Sequence, residues 1–191
     1  YKEETGILTA PEPYVIKSNS GDSTVNGNSI TYNKKTGELV SSGEITVDNK
    51  GTIIKGHDLV YNNISGLGKI QGPIPFENKA DNMSGIAKEL IIKKGDYVDL
   101  IGPIKARRET TNMEFANARY SYKDELVHVN TTVKFDDPVR SMVGSVSSAT
   151  YSPKDGVLKG TNFNMKEPTR SAKAQNIVLY NKEDRRLELL G

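Results

Sequence analysis

The chain has 191 residues, a formal net charge of +2 and 35% hydrophobic content, which fits one domain with a long, thin core rather than a thick globular one. With no cysteine, a disulfide framework, a thiolate metal site and a cysteine nucleophile are all excluded. No stretch approaches the roughly 18 consecutive apolar residues of a membrane-spanning helix.

Residues 1–25 lie outside any regular pattern, with Tyr14, Val15 and Ile16 readable as an entry strand and 18–22 as a loop. Because residue 1 is Tyr rather than Met, a removed signal peptide or N-terminal membrane anchor is expected. From residue 26 onward a period governs the chain. Tyr32, Tyr61, Ile91, Tyr120, Tyr151 and Tyr180 follow one another at spacings of 29, 30, 29, 31 and 29 residues. A glycine stands eleven residues after four of these anchors, as Gly43, Gly72, Gly102 and Gly191, while Thr131 takes that place after Tyr120 and Gly160 comes two positions early. A period near thirty residues signals one small unit copied and stacked, each copy too small to bury its own apolar face.

Alternation around the glycine defines the unit. The residues four and two before it and two and four after it are Leu39, Ser41, Ile45 and Val47 in the first copy, then Gly68, Ile70, Ile74 and Phe76. Val98, Leu100, Ile104 and Ala106 follow, then Val127, Val129, Val133 and Phe135, and finally Leu187 and Leu189. Positions between them, such as Glu44, Lys69, Lys105 and Lys134, are polar. Such period-two patterning predicts a long strand with one dry face and one wet face. The fifth copy keeps Leu158, Phe163 and Met165 but loses the frame, which predicts a bulge or a one-residue slip.

A second, shorter strand is expected to end at each anchor, joined to the long one by Gly- and Asn-rich turns at 33–37, 62–66, 93–96, 152–156 and 181–184. A second set of polar turns falls at 48–51, 78–82, 107–112, 136–138 and 166–169. Gly72-Pro73 and Gly102-Pro103 occupy matching places and predict a kink in mid-strand, since proline cannot donate to a ladder. Over 85–94 the spacing of Ile86, Leu90 and Ile91 also fits a helix, but the repeat register favours strand. In that register Glu89 replaces the apolar residue two before the anchor.

Chemistry-bearing constellations are sparse. His57 and His128 sit at unmatched repeat positions without a triad pattern, and Asp48, Asp81, Asp136 and Asp137 fall in turns, where capping of the backbone accounts for them. No enzyme, catalytic residue, metal site or cofactor is expected. Lys93, Lys94, Lys105, Arg107 and Arg108, with Arg140, Arg170, Lys173, Arg185 and Arg186, admit two readings: contact with anionic headgroups or phosphates, or a solvated rim that protects sheet edges. No nucleic-acid partner is expected, because the 13 aromatic side chains sit at repeat anchors and strand faces rather than among the arginines.

The units Gly-Asn-Ser-Ile-Thr-Tyr-Asn with Gly-Glu-Leu-Val-Ser-Ser-Gly-Glu-Ile-Thr-Val (27–47) and Gly-His-Asp-Leu-Val-Tyr-Asn with Gly-Lys-Ile-Gln-Gly-Pro-Ile (56–74) resemble the OstA-type repeat of the periplasmic lipopolysaccharide transport proteins of the LptA and LptC kind. The resemblance covers residues 26–191, one jellyroll domain after an entry segment of 1–25. It implies an all-β fold, an elongated β-jellyroll of about six two-stranded repeats of roughly thirty residues. It also implies shielding of lipopolysaccharide acyl chains, end-to-end pairing with related jellyrolls to bridge inner and outer membrane, and an ATP-driven ABC transporter of the inner membrane as partner. An LptC-like protein, periplasmic and anchored to the inner membrane by a helix removed from this sequence, is the favoured expectation. The residues expected to line the lipid passage are Ile45, Val47, Ile70, Ile74, Phe76, Leu100, Ile104, Val129, Val133 and Phe135, and the competing reading is that they pack on one another as a sandwich core. The strand at 187–190, with Leu187, Leu189 and Leu190, is the expected pairing edge. A β-solenoid adhesin or carbohydrate binder is the alternative class; it would show ladders of identical residues and rows of exposed aromatics.

Overall fold

A computed structural model of the chain describes residues 6–17, 21, 23–180 and 186–191. The expected turn at 181–184 lies outside them, as does Arg185, and so does the expected loop at 18–22 apart from Gly21. Sixteen strands and no helix occur among the described residues, so the protein is all-β. The chain forms two compact units, Tyr1–Lys94 and Gly95–Gly191.

In the first unit β1 (Ile7–Ala10) and β2 (Tyr14–Lys17) both pair with β3 (Ser23–Asn33), one along each half of it. Then β4 (Glu38–Asn49), β5 (Thr52–Asn62), β6 (Leu67–Asn78) and β7 (Met83–Lys93) follow as successive antiparallel hairpins. In the second, β8 (Tyr97–Arg108) pairs with β9 (Thr111–Ser121), which takes both β10 (Leu126–Val129) and β11 (Val133–Asp137) as its other neighbours. Those two halves pair in turn with β13 (Ser148–Ser152) and β12 (Met142–Val146), and both of these lie along β14 (Val157–Lys166). β15 (Ser171–Tyr180) and β16 (Leu187–Leu190) complete the unit. Residues 85–93, where a helical spacing competed, belong to β7.

The anchor strands end where the sequence places them but are not short. β3, β5, β7 and β9 each run 11 residues, against 12 for β4, β6 and β8. Their first halves escaped the sequence reading because Ser23-Thr24-Val25, Thr52-Ile53-Ile54 and Thr111-Asn112-Met113 carry only weak alternation. The turns follow the expected chemistry. Asn33 Oδ1 accepts the Lys35 and Thr36 N–H groups, and Asn62 Oδ1 those of Ile64 and Ser65. At the other end of the hairpins Asp48 Oδ1 caps the Gly51 N–H, and Asp137 Oδ1 caps Val139 and Arg140.

Register corrects two anchors. Tyr32 and Tyr61 both lie opposite Leu39, Tyr61 also opposite Gly68, and Gly68 opposite Ile92, so the residue at the tyrosine level in the third copy is Ile92 rather than Ile91. Leu90, two before it, is buried, while Glu89 points to the wet face and bonds Lys69 at 2.6 Å. The apparent loss of an apolar partner at Glu89 therefore disappears. At the end of β15 it is Leu179, opposite Leu158, that holds the interior level, and Tyr180 turns outward by one residue, with the Arg186 guanidinium 4.6 Å from its ring centre.

A crease crosses the strands of each unit at mid-length. In the first unit it runs through Asn28, Gly43, Asp58 and the Gly72-Pro73 pair, where the pairing register shifts by a residue. In the second it passes through Gly102-Pro103, the break between β10 and β11, the break between β12 and β13, and Asn162. The expected mid-strand kink at each Gly-Pro is thus one member of a line. Glycine is required there by space: a β-carbon on Gly72 would stand 1.9 Å from the Lys88 carbonyl oxygen, and one on Gly102 2.4 Å from that of Ala116.

Candidate functional site

The crease organises the interior. On β4, β6, β8 and the β10/β11 pair, the inward residues flanking it are four apart: Ser41 and Ile45, Ile70 and Ile74, Leu100 and Ile104, Val129 and Val133. Their neighbours cross it in three steps, as in Ala87 and Leu90, Phe115 and Ala118, and Val146 and Ala149; β15, beyond β14, also does so, from Ala174 to Ile177. The extra residue on one strand of each pair is what makes a β-bulge. β14 lacks it, passing from Gly160 to Phe163 in three steps, and its pairing with β13 and β15 shows no shift. The fifth copy is therefore out of frame through a slip, not a bulge.

Of the ten residues expected to line the interior, Ile45, Ile70, Ile74, Phe76, Ile104, Val129 and Val133 are buried, and Val47, Leu100 and Phe135 are half-buried. Large side chains lie over small ones. In the first unit a β-carbon on Gly56 would meet Ile70 Cγ2 at 2.4 Å and Ile74 Cδ1 at 2.7 Å, so the missing side chain is the space those isoleucines fill. In the second, Val129, Val133 and Val146 form one cluster with Met113, Phe115, Ala118 and Ala149 around it. Phe163, Ala174 and Ile177 form another, joined by Phe135, whose ring stacks on Phe163 at 6.1 Å between centres. Ala87, Leu90, Val146, Ala174 and Ile177 are interior residues that a fixed four-residue frame misses; a three-residue frame on the intervening strands finds them.

Polar groups inside are few and satisfied. Ser41 is fully buried and its hydroxyl accepts from Tyr14, at 2.8 Å, whose ring covers Gly27. Among the described residues no buried side-chain nitrogen or oxygen lacks a partner. Asp137, 1% exposed, is the buried carboxylate of the second unit. Thr110 Oγ1 donates to its Oδ2 at 2.8 Å, the Val139 and Arg140 N–H groups donate to its Oδ1 at 3.0 and 3.2 Å, and Arg140 Nε stands 3.8 Å away. Burial alone works against the charged form. The hydrogen bonds from Thr110, Arg140 and Val139 with the Arg140 charge outweigh it and hold this carboxyl below the usual carboxylate range.

The second feature is the edge. Among the described strands β16 pairs with β15 alone. Leu187 and Leu189 lie opposite Leu179 and Ile177, on the interior face, yet are 40% and 46% exposed, because no further strand covers them. Leu190, opposite Asn176, points to the other face. In the first unit Val15 and Ile16 of β2 are likewise exposed.

His128 Nε2 lies 2.9 Å from Asp124 Oδ2, but Ser121 bonds the same carboxylate rather than the imidazole, so the order needed for a nucleophilic serine is missing. His57 is exposed on the wet face. Among the described residues no group of three His, Asp or Glu side chains could hold a metal.

No family model and no curated protein matches this chain. Among solved structures it is similar to LptH, the LptA homologous periplasmic component of the conserved lipopolysaccharide transport device from Pseudomonas aeruginosa, with 16% sequence identity and a TM-score of 0.40, covering 66% of this chain and 83% of that one. A likeness this distant decides neither chemistry nor partners. The functional reading is carried by the residues of the interior and the edge.

Proposed function

We propose that this chain is a non-enzymatic, periplasmic component of lipopolysaccharide transport that shelters acyl chains within its creased apolar interior. The observation that carries the reading is that interior: aliphatic and aromatic side chains line both sides of the crease in each unit, with no unsatisfied buried polar side chain among the described residues. Acyl chains ask of a protein only dispersion contacts and exclusion of water. A hydrocarbon tail entering between Ile70, Ile74 and the small residues opposite exchanges one set of apolar contacts for another and strips no polar group of its partner. The two units in which the OstA-type repeat is clearest, 27–47 and 56–74, supply part of this wall.

Exposed interior-face leucines on β16 fit pairing with a related jellyroll, whose added strand would both continue the ladder and cover them. Such proteins, and the ATP-driven transporter of the inner membrane that supplies the work, are the partners this reading implies. The test places a photo-crosslinking residue at Ile104 or Val129, with Lys105 and Lys134 on the wet face as controls, and exposes the protein to lipopolysaccharide. Capture at the two interior positions and not at the controls is expected; failure at both interior positions returns them to the role of plain core residues.

A further inference from the structure

We propose that the buried hydroxyl pair of Tyr14 and Ser41 selects, among lipids entering the first unit, an acyl chain that itself carries a hydroxyl group. The inference rests on the reading that acyl chains occupy the apolar interior, and it names which chain. The repeat supplies the comparison. At the inward position that Ser41 fills on β4, the later copies have Ile70, Leu100 and Val129. Ser41 has Ile30 and Leu59 opposite it on the neighbouring strands, while Gly27 and Gly56 lie opposite Ile45 across the crease. A hydroxyl in such surroundings is costly unless it is bonded.

Tyr14 provides the bond. β2 sets it opposite Gly27, where a β-carbon would stand 2.5 Å from Tyr14 Oη and 2.6 Å from Cζ, so the ring passes over β3 through the space that glycine leaves. Tyr14 Oη then donates to Ser41 Oγ at 2.8 Å. Both oxygens thus have a partner, yet each hydroxyl carries one proton and two lone pairs. Among the described residues neither makes another hydrogen bond, so Ser41 keeps its proton and Tyr14 its lone pairs. A serine needed only to make room for the ring could be alanine, with phenylalanine at 14 and no polar group to bury. A ligand hydroxyl uses both leftovers at once, accepting from Ser41 and donating to Tyr14. An ester carbonyl uses only the first, and a plain methylene uses neither.

The pair also stands where the oxygen-bearing part of a lipid would come to rest. Among the described strands β2 pairs with β3 alone, and Ile16, on the inward face with Val25 and Val47, is 45% exposed. This margin of the interior meets water, and beyond it Ile45, Ile70 and Ile74 form a buried aliphatic run. A tail lying along these isoleucines leaves the carbons nearest its headgroup beside Tyr14.

The test offers the full chain an equimolar mixture of methyl hexadecanoate and its analogue hydroxylated on the third carbon, two esters that differ by the hydroxyl alone. A photo-crosslinking residue stands at Val47 in the first unit, or at Val129 in the second, packed among Met113, Phe115, Ala118 and Ala149. Mass spectrometry reads the ratio of the two adducts. At Val47 the hydroxylated ester should be captured in about fivefold excess, the worth of one neutral hydrogen bond, and at Val129 in equal amount. Ser41→Ala with Tyr14→Phe keeps the ring and removes both hydroxyls together, so the Val47 preference should vanish while total capture and circular dichroism stay unchanged. Equal capture of the two esters at Val47 by the native chain overturns the hydroxyl preference and leaves lipid carriage standing, as does a preference that survives the double substitution. Capture of neither ester at either position overturns both. The native ratios at Val47 and Val129 need no folded variant.

Discussion

At Gly72 the backbone of β6 comes so close to β7 that any side chain must displace the Lys88 carbonyl. Gly72→Ala should therefore destabilise by about 3 kcal/mol or more, read as a lower urea midpoint, because the obstacle is backbone rather than a movable side chain. A near-native midpoint would show that the crease yields. Asp137 offers a second residue-level expectation. Its folded pKa is depressed, so its contribution to stability is complete above the unfolded carboxylate value of about 3.9 and is lost as the pH falls through the lower folded value. Thermal midpoints of the native chain should thus drop in that acid window. Asp137→Asn should melt several degrees lower at neutral pH and show a shallower acid decline; an identical acid profile would remove Asp137 from the account.

On the scale of the strand, the crease rather than the hairpin is the repeated structural device. From β3 to the β12/β13 pair, strands with an extra residue alternate with strands without one, so the inward side chains meet on both sides of the bend. Asn162 holds the crossing on β14 with φ of 51°, a region that asparagine and glycine enter readily and β-branched residues do not. Asn162→Gly should change stability little, whereas Asn162→Val should cost about 1–3 kcal/mol; equal unfolding midpoints for the two would contradict the crease as a conformational requirement. Ile74, fully buried beside the same bend on β6, is a packing counterpart. Replacing it with alanine should cost about 2–5 kcal/mol by chemical denaturation.

For the molecule as a whole, function is proposed to reside in continuous surfaces rather than in a cluster of reactive groups. The interior of each unit supplies one such surface and the uncovered edge of β16 another. If β16 pairs with a related jellyroll, Leu189→Lys should reduce concentration-dependent association in sedimentation velocity while leaving the melting temperature almost unchanged, since the side chain is half exposed in the single chain. An unaltered distribution of species would detach that edge from assembly.

The sequence by itself determined the all-β class, the turns after Tyr32, Tyr61 and Tyr151, and the inward identity of residues such as Ile45, Ile70, Ile74 and Val133, because side chains on an extended chain must alternate and Asn and Gly mark where it reverses. Only tertiary structure decided which residues share a level: Ile92 in place of Ile91, Leu90 in place of Glu89, and Ala87, Ala174 and Ile177 among the interior residues. The physical reason is that pairing register is a property of two strands. One extra residue at a crease exchanges the faces of everything beyond it, and the sequence of a single strand does not state how many residues its neighbour uses to cross the same bend.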